Sequence, residues 1–157
     1  MLIFDLDGTV IDSSHRKATR PDGTLDLDHW IENCTPEKIA QDRLLPLADF
    51  MRIVYRIGRQ PVVVCTARVM GTADYDFLDN NGLHVDEILS RPIGNRMRDG
   101  TLKEMLLRGY ATHRCQTWQE FTRNASMFDD CDDVITTLSR AGVAIYNAKF
   151  INEELGL

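Results

Sequence analysis

Short apolar runs alternate along this chain with segments of helical spacing, and that alternation limits the folds it can adopt. Pro61–Cys65 is continuous and β-branched, which is typical of a strand covered on both faces. Apolar side chains between Leu47 and Ile57 instead recur at helical spacing, and Gly58 marks where that helix should end. Because strands that alternate with helices form βαβ units with right-handed crossovers, the pattern predicts an α/β fold with a mostly parallel central sheet.

The same patterns predict the other elements of the sheet and its helices. Gly82 and Gly142 lie where two helices should stop, because glycine readily ends a helix. In such a sheet, ligands bind beyond the carboxyl ends of the strands, so polar residues at strand ends are the candidates for function. The further predicted strands are 2–4, 87–89, 126–128 and 143–146, and the further predicted helices are 73–81, 102–107 and a segment containing 134–138.

Residues 10–43 interrupt the alternation. The segment is polar, contains the turn signal Pro21-Asp22-Gly23, and offers only short helix candidates near Trp30 and Lys38. It is too small to be a separate domain. We therefore expect one domain over residues 1–157, in which residues 10–43 form a small cap insertion over the mouth of a site.

Composition and charge exclude several classes of protein. The chain has a net charge of −6, so its surface should repel nucleic acid, and bulk duplex binding is not expected. No run approaches the roughly 18 apolar residues of a membrane span, and no basic leader precedes Asp5, which predicts a cytoplasmic location. The four cysteines form no CxxC pair, so we expect free thiols. Self-association into a homo-oligomer is compatible with the sequence.

An acidic run, Asp5-Leu6-Asp7-Gly8-Thr9, follows the first predicted strand directly. Carboxylates two residues apart point the same way while the chain is extended, and Gly8 lets the backbone turn sharply beside a ligand. Phosphoryl transfer needs such a pair, because one carboxylate attacks phosphorus and the other donates a proton to the departing oxygen. For an isolated DxD pair, the alternative is an acidic turn after a strand.

The complete five-residue run after an N-terminal apolar strand resembles the signature of the haloacid dehalogenase (HAD) superfamily. The resemblance implies a three-layer, Rossmann-like fold, Mg²⁺ as the cofactor, Asp5 as a covalent nucleophile and Asp7 as its acid/base partner. In that chemistry Asp5 is held ionised, whereas Asp7 carries a proton near neutral pH.

The second and third motifs of that superfamily have counterparts at Thr66 and Lys103. Thr66 follows the strand at 62–65 and would hold phosphate oxygens, although such a threonine can also cap a helix. Lys103 would neutralise the phosphate and keep the nucleophile ionised, although most lone lysines are solvated surface groups. Both residues are therefore predicted to be catalytic.

The fourth motif corresponds to Asp129-Asp130, an acidic pair after a strand. Mg²⁺ is a hard cation that prefers carboxylates, carbonyls and water. The resemblance implies a metal site made from Asp5, the backbone carbonyl of Asp7 and this pair, with Asp130 as the direct ligand and Asp129 beside it. The following acids, 132 and 133, are expected to serve the next helix.

Several stretches resemble the phosphatase domain of polynucleotide kinase/phosphatase proteins: Ser14-His15-Arg16, Thr66-Ala67-Arg68, Ser90-Arg91-Pro92 and the basic stretch 96–103. The alternative for Arg96 and Arg98 is a solvated loop, and the alternative for His15 and Arg16 is a contact between cap and core. The substrate-binding residues that the resemblance implies are Thr66, Ala67, Arg68, Arg91, Arg96 and Arg98.

These features predict a Mg²⁺-dependent phosphomonoester hydrolase that acts through an aspartyl-phosphate. The favoured substrate is a nucleotide-type phosphate, including the 3′-phosphate of a polynucleotide end. A nucleotidase or small-metabolite phosphatase is the alternative, and a non-catalytic HAD-fold binding module is a further one. No GxxxxGK[ST] motif is present, so the kinase half of the bifunctional enzymes has no counterpart. The expected partner is thus a phosphorylated small molecule or nucleic-acid end.

Overall fold

The computed structural model describes residues 1–23 and 25–156, and its centre is a five-stranded parallel sheet in the order β5-β4-β1-β6-β7. A separate antiparallel pair joins β2 to β3. The strands are β1 (Leu2–Phe4), β2 (Ile11–Asp12), β3 (Arg43–Leu44), β4 (Val62–Cys65), β5 (Glu87–Leu89), β6 (Ser126–Asp129) and β7 (Ala144–Asn147).

Eight α-helices accompany these strands in the described residues, and none of the eight is long and apolar enough to cross a membrane. The predicted helix at Leu47–Ile57 is confirmed, and Gly58 ends it in the left-handed conformation with φ 66°. The helix predicted at 102–107 is longer than expected. The helices are α1 (Leu27–Glu32), α2 (Pro36–Ile39), α3 (Leu47–Ile57), α4 (Thr72–Asn80), α5 (Asp99–His113), α6 (Trp118–Asn124), α7 (Asp132–Arg140) and α8 (Ala148–Leu155).

Strand β1 lies in the middle of the sheet and pairs in parallel with both β4 and β6. Leu2 is in register with Val62 on one side and with Ser126 on the other. The carboxyl ends of the three strands therefore meet at one edge, where Asp5 and Thr66 continue the ladder through backbone hydrogen bonds. The predicted α/β fold is confirmed, and this edge is where the functional candidates should gather.

Helices cover both faces of the sheet and make three layers. One face packs Phe4, Val62 and Val64 into a core with α3 and α4, and the other packs Ile3 and Val63 against α5, α6 and α7. The alternation along each strand explains this division, because successive side chains of a strand point to opposite faces. Both faces are buried, as the continuous apolar strands predicted.

The segment 10–43 begins and ends at the β2–β3 pair, in which Ile11 lies opposite Leu44. Both short helices predicted near Trp30 and Lys38 form within it. Asp26 caps the first, since its side chain accepts a hydrogen bond from a backbone N–H of that helix, and Thr35 does the same for the second. The ends of the insertion thus meet at the core, and its helices lie between them.

Gly100 allows a close contact between α5 and α7. A Cβ atom at this position would lie 2.6 Å from Thr137 Oγ1 and 2.9 Å from the Asp133 carbonyl oxygen. Gly109 lies on the same helix, where an added Cβ would meet no atom within 4 Å. We predict that Gly100→Ala lowers the free energy of unfolding by about 1–3 kcal/mol through overpacking, whereas Gly109→Ala raises it by about 0.5–1 kcal/mol.

Urea unfolding followed by circular dichroism measures both changes. The two substitutions are chemically identical and lie on one helix, so helix propensity favours alanine in each. A Gly100→Ala protein as stable as the Gly109→Ala protein would contradict the close α5–α7 contact.

Candidate active site

Three carboxylates converge at the carboxyl edge of the sheet. Asp5 follows β1, Asp129 ends β6, and Asp130 follows it, and one oxygen from each lies within 4.8 Å of the others. Asp5 and Asp129 are buried, whereas Asp130 is partly exposed. Carboxylate oxygens brought together in this way form the kind of ligand set that a hard divalent cation prefers.

Lys103 forms ion pairs with two of these carboxylates. Its Nζ lies 2.7 Å from Asp5 Oδ1 and 2.7 Å from Asp129 Oδ2, and its side chain is 2% exposed. Helix α5 positions it, because Lys103 lies in the second turn on the face that packs against the sheet. Burial alone would lower the pKa of Lys103, but the two carboxylates raise it well above its usual value. Lys103 is therefore a fixed positive charge beside Asp5.

The two members of the acidic pair have different surroundings. Asp129 uses one oxygen for Lys103 and the other to accept a hydrogen bond from the Cys131 N–H. Asp130 lines the cavity above Asp5, and Lys149 Nζ lies 4.0 Å from its Oδ2. Burial raises the pKa of Asp130. The oxygens of Asp130 are thus the more available for a cation.

Gly8 is required where the backbone passes this carboxylate. Its φ is 77°, and a Cβ atom here would overlap the side chain of Asp130. The Gly8 N–H donates to the Ile11 carbonyl oxygen at 2.8 Å, which closes the turn after the acidic run. Only glycine satisfies both the left-handed conformation and the close approach.

The pKa order of the two acids in the run differs from the expected one. Burial raises the pKa of Asp5 to about 8, with the neighbouring carboxylates Asp129 and Asp7 adding to the effect and Lys103 opposing it. Burial also acts on Asp7, but Arg68 and the Ser13 hydroxyl outweigh it and hold the pKa of Asp7 below its usual value. In the protein alone, burial thus opposes the ionised Asp5, and Arg68 opposes the protonated Asp7, that the sequence predicts.

Two nitrogens of Arg68 donate hydrogen bonds to Asp7. Its Nε donates to Asp7 Oδ2 at 2.8 Å and its Nη2 donates to Asp7 Oδ1 at 2.7 Å. The same guanidinium reaches Asp74 Oδ1 at 2.6 Å and Asp42 Oδ2 at 3.0 Å. Arg68 was predicted to bind substrate, but its described contacts are with protein carboxylates, and this pairing orients Asp7.

Arg16 continues this buried network into the insertion. Its side chain is fully buried, donates twice to Asp42 at 2.7 and 2.9 Å, and lies 4.3 Å from the centre of the Trp30 ring. His15 Nε2 lies 3.6 Å from the same Asp42. Of the two interpretations left open by the sequence, the structure favours a contact within the protein for both residues.

Thr66 lies where the second motif predicts, directly after β4, but it is fully buried. Its Oγ1 accepts a hydrogen bond from the Arg68 N–H at 3.2 Å, and its own N–H donates to the Leu89 carbonyl oxygen. The next residue, Ala67, lines the cavity. Among the described residues, Thr66 thus supports the turn that presents Ala67 and Arg68, and its predicted contact with phosphate stays a prediction.

The three other predicted arginines have different positions. Arg91 is 6% exposed and donates to the carbonyl oxygens of Ala67, Asn95 and Met97 and to the Asp99 carboxylate. Its side chain holds two loops together while it lines the cavity. The remaining pair, Arg96 and Arg98, are exposed, and Arg98 Nη2 lies 2.8 Å from Asp133 Oδ1.

A cavity of about 460 Å³ opens above Asp5, and two of its lysines were not assigned to the site from the sequence. Lys17 comes from the insertion and Lys149 from the start of α8. Lys149 is the second residue after the end of β7, so the strand-end rule could have found it. No comparable signal marks Lys17, because its position depends on how the insertion folds.

Comparison with known proteins identifies the family. The model of the family described as "Bacteriophage T5 5′-deoxynucleotidase" matches residues 1–157. This chain belongs to that family. The 5′-deoxynucleotidase of Escherichia phage T5 is 43% identical over 86 residues, which are 53% of this chain and 35% of that relative. The match therefore spans about a third of the relative's length.

Solved structures are similar in fold. The Pnkp1/Rnl/Hen1 RNA repair complex contains a chain with a TM-score of 0.63 and 19% identity, over 94% of this chain and 41% of that one. A HAD-superfamily hydrolase of Geobacter sulfurreducens PCA gives a TM-score of 0.61 and 15% identity, over 99% and 95%. These likenesses confirm the predicted HAD-like fold, and the family match gives the family.

Asp42 is the shared anion of two buried arginines, so its charge should matter for stability. We predict that Asp42→Asn lowers the free energy of unfolding by about 3 kcal/mol, because Arg16 and Arg68 lose a buried counter-charge. Asp49→Asn removes an equally short ion pair, with Arg52 at 2.7 Å, but that aspartate is 76% exposed.

Exposed ion pairs contribute little, so the Asp49→Asn protein should unfold at nearly the wild-type urea concentration. Parallel urea titrations compare the two variants. Similar midpoints for both would mean that the Asp42 network does not hold the insertion to the core.

Proposed function

We propose that this chain hydrolyses the phosphate ester of deoxynucleoside 5′-monophosphates. The observation that carries the proposal is Asp5 at the wall of the cavity, with Lys103 Nζ at 2.7 Å on one side and Asp130 on the other. The family match and the name of the phage T5 relative support the 5′-deoxynucleotide. The 3′-phosphate favoured from the sequence is thereby replaced as the first choice by the nucleotidase alternative.

The proposed chemistry uses Asp5 as the nucleophile. A carboxylate oxygen of Asp5 attacks phosphorus, the bond from phosphorus to the ester oxygen breaks, and an aspartyl-phosphate forms. Lys103 stays within 2.7 Å of Asp5 and offsets negative charge on the transferred group. Water then attacks the aspartyl-phosphate, which regenerates Asp5 and releases inorganic phosphate.

Asp7 is proposed to move the protons. Its ionised form, favoured by Arg68, suits the second half of the reaction, in which Asp7 accepts a proton from the attacking water. In the first half, Asp7 must start protonated and gives that proton to the leaving ester oxygen, and the proton that it takes from water in the second half restores the starting state. Because Nε and Nη2 of Arg68 both donate hydrogen bonds to Asp7, the transfer to the ester oxygen requires at least one of these hydrogen bonds to break.

The residues present fit a Mg²⁺ ion. Asp5, Asp130 and the backbone carbonyl of Asp7 would hold it, and Asp130 has the less committed carboxylate of the acidic pair. Bound there, the cation would favour ionised Asp5 and neutralise charge on the phosphoryl group. Burial and the neighbouring acids raise the pKa of Asp5 in the protein alone despite Lys103, so a further positive charge would stabilise the ionised form of Asp5.

An assay of phosphate release tests the reaction and its substrate. With Mg²⁺ present, thymidine 5′-monophosphate should be hydrolysed faster than thymidine 3′-monophosphate, a 3′-phosphate oligonucleotide or a hexose phosphate. Asp5→Asn should lower kcat by about 10³-fold or more because it removes the nucleophile, and the chelator EDTA should do the same. Mass spectrometry of the wild type, quenched during turnover, should find a phosphoryl group on the peptide that contains Asp5.

Asp76→Asn on the exposed side of α4 is the control for that assay and should keep wild-type kcat. Full activity in the Asp5→Asn protein would reject the nucleophile. Faster turnover of a 3′-phosphate than of the 5′-monophosphate would reject the proposed substrate and leave the chemistry in place.

Metal affinity tests the proposed ligand independently of activity. Asp130→Asn should weaken Mg²⁺ binding, measured by isothermal titration calorimetry, by about tenfold or more because a ligand oxygen loses its charge. Asp132→Asn removes the same charge from another residue of the cavity wall and should weaken binding much less. Equal weakening by both substitutions would mean that Asp130 attracts the cation only at a distance.

A further inference from the structure

A second, apolar groove lies beside the catalytic cavity. It has a volume of about 290 Å³ and shares Leu27, Trp30, Ala67 and Arg91 with the cavity above Asp5. A ligand whose phosphate reaches Asp5 can therefore extend into this groove without crossing a wall.

Three exposed apolar side chains line the groove. Ile31 of α1 is 56% exposed, Val69 after β4 is 40% exposed, and Ile93 before α5 is 92% exposed. They come from three separate segments of the chain, so their meeting at one groove is a product of the tertiary fold. Neighbouring exposed apolar side chains of this kind mark surfaces that bind a partner or ligand.

Buried arginines hold the walls of the groove in place. Arg91 joins the loop after β4 to the loop before α5 through the carbonyl oxygens of Ala67 and Met97. On the opposite wall, the Arg16 guanidinium packs over Trp30 at 4.3 Å. The groove is thus preformed, which lowers the cost of ordering a ligand.

Two polar residues among those that line the groove can donate hydrogen bonds. Asn95 Oδ1 accepts a hydrogen bond from the Met97 N–H at 2.9 Å, so the NH₂ group of the Asn95 side chain is the part that can donate to a ligand. Arg96 also lines the groove and is exposed. A flat ligand with apolar faces and acceptor atoms on its edge matches this combination, as a nucleobase does.

We infer that this groove is the nucleobase subsite, which binds the base of a deoxynucleoside monophosphate while its phosphate lies at Asp5. The inference rests on the proposed nucleotidase activity and adds the residues that would select a nucleotide over a base-free sugar phosphate. The junction at Trp30 and Ala67 is where the sugar would pass from one cavity to the other.

Steady-state kinetics with matched substrates tests the subsite. Thymidine 5′-monophosphate and 2-deoxyribose 5-phosphate present the same phosphate ester, and only the first has a base. The wild-type KM should be about tenfold lower for the nucleotide. The double variant Ile31→Ser, Ile93→Ser should raise the nucleotide KM about fivefold, by loss of apolar contact, and leave the sugar phosphate KM unchanged.

The matched control is Ile53→Ser, Ile57→Ser on α3, where the isoleucines are 53% and 58% exposed and line neither cavity. It should change neither KM. Equal KM values for the two substrates in the wild type would overturn the subsite, and so would a groove variant that behaves as the control does. Hydrolysis of both substrates would still support the phosphatase.

Binding measured without turnover separates the two ideas completely. Calorimetric titration of the Asp5→Asn protein should give tighter binding of thymidine 5′-monophosphate than of 2-deoxyribose 5-phosphate, and the groove substitutions should abolish the difference. If the wild type hydrolyses neither compound but this preference is found, the proposed function fails and the subsite stands. If neither compound binds preferentially, the subsite fails.

Discussion

The ammonium of Lys103 between Asp5 and Asp129 is the interaction on which the geometry of the site depends. Burying these three ionisable side chains together is tolerable because each carboxylate lies 2.7 Å from the same nitrogen. The contact joins the end of β1, the end of β6 and the start of α5. Helix α5 reaches this position because Gly100 lets it pack closely on α7. The place of the nucleophile candidate is therefore set by core packing.

A second network of buried charges joins the insertion to the same site. Asp42 near β3 and Arg16 after β2 pair with each other, and Asp42 also pairs with Arg68, which holds Asp7. Removing one partner from such a network leaves an uncompensated buried charge, so its members hold one another in place. The insertion consequently helps to fix the orientation of Asp7, in addition to contributing Trp30 and Lys17 to the cavity.

The strand and helix pattern predicted most of the core, because its strands are apolar and glycines follow helices α3, α4 and α7. Helices α6 and α8 were not among the elements predicted from the sequence pattern. The strand-end rule pointed to Asp5 and Asp130, the third motif pointed to Lys103, and the structure places the three side chains at one edge of the sheet, while their predicted roles stay predictions. The strand-end rule could not predict that Arg16 and Arg68 pair with Asp42, because these residues come from segments that meet only in the fold.

Charge in the cavity gives an electrostatic reason for the proposed cation. Among the described residues that line it, five are acidic and five are basic, so its wall has no net positive charge. Lys103 is shared with the buried Asp129, and Arg68 is committed to Asp7, Asp42 and Asp74. The more exposed lysines, 17 and 149, face Asp130 as well. A phosphate dianion that enters this cavity, in a protein of net charge −6, would therefore meet a wall without excess positive charge. A divalent cation bound at Asp5 and Asp130 would make the net charge of that wall positive.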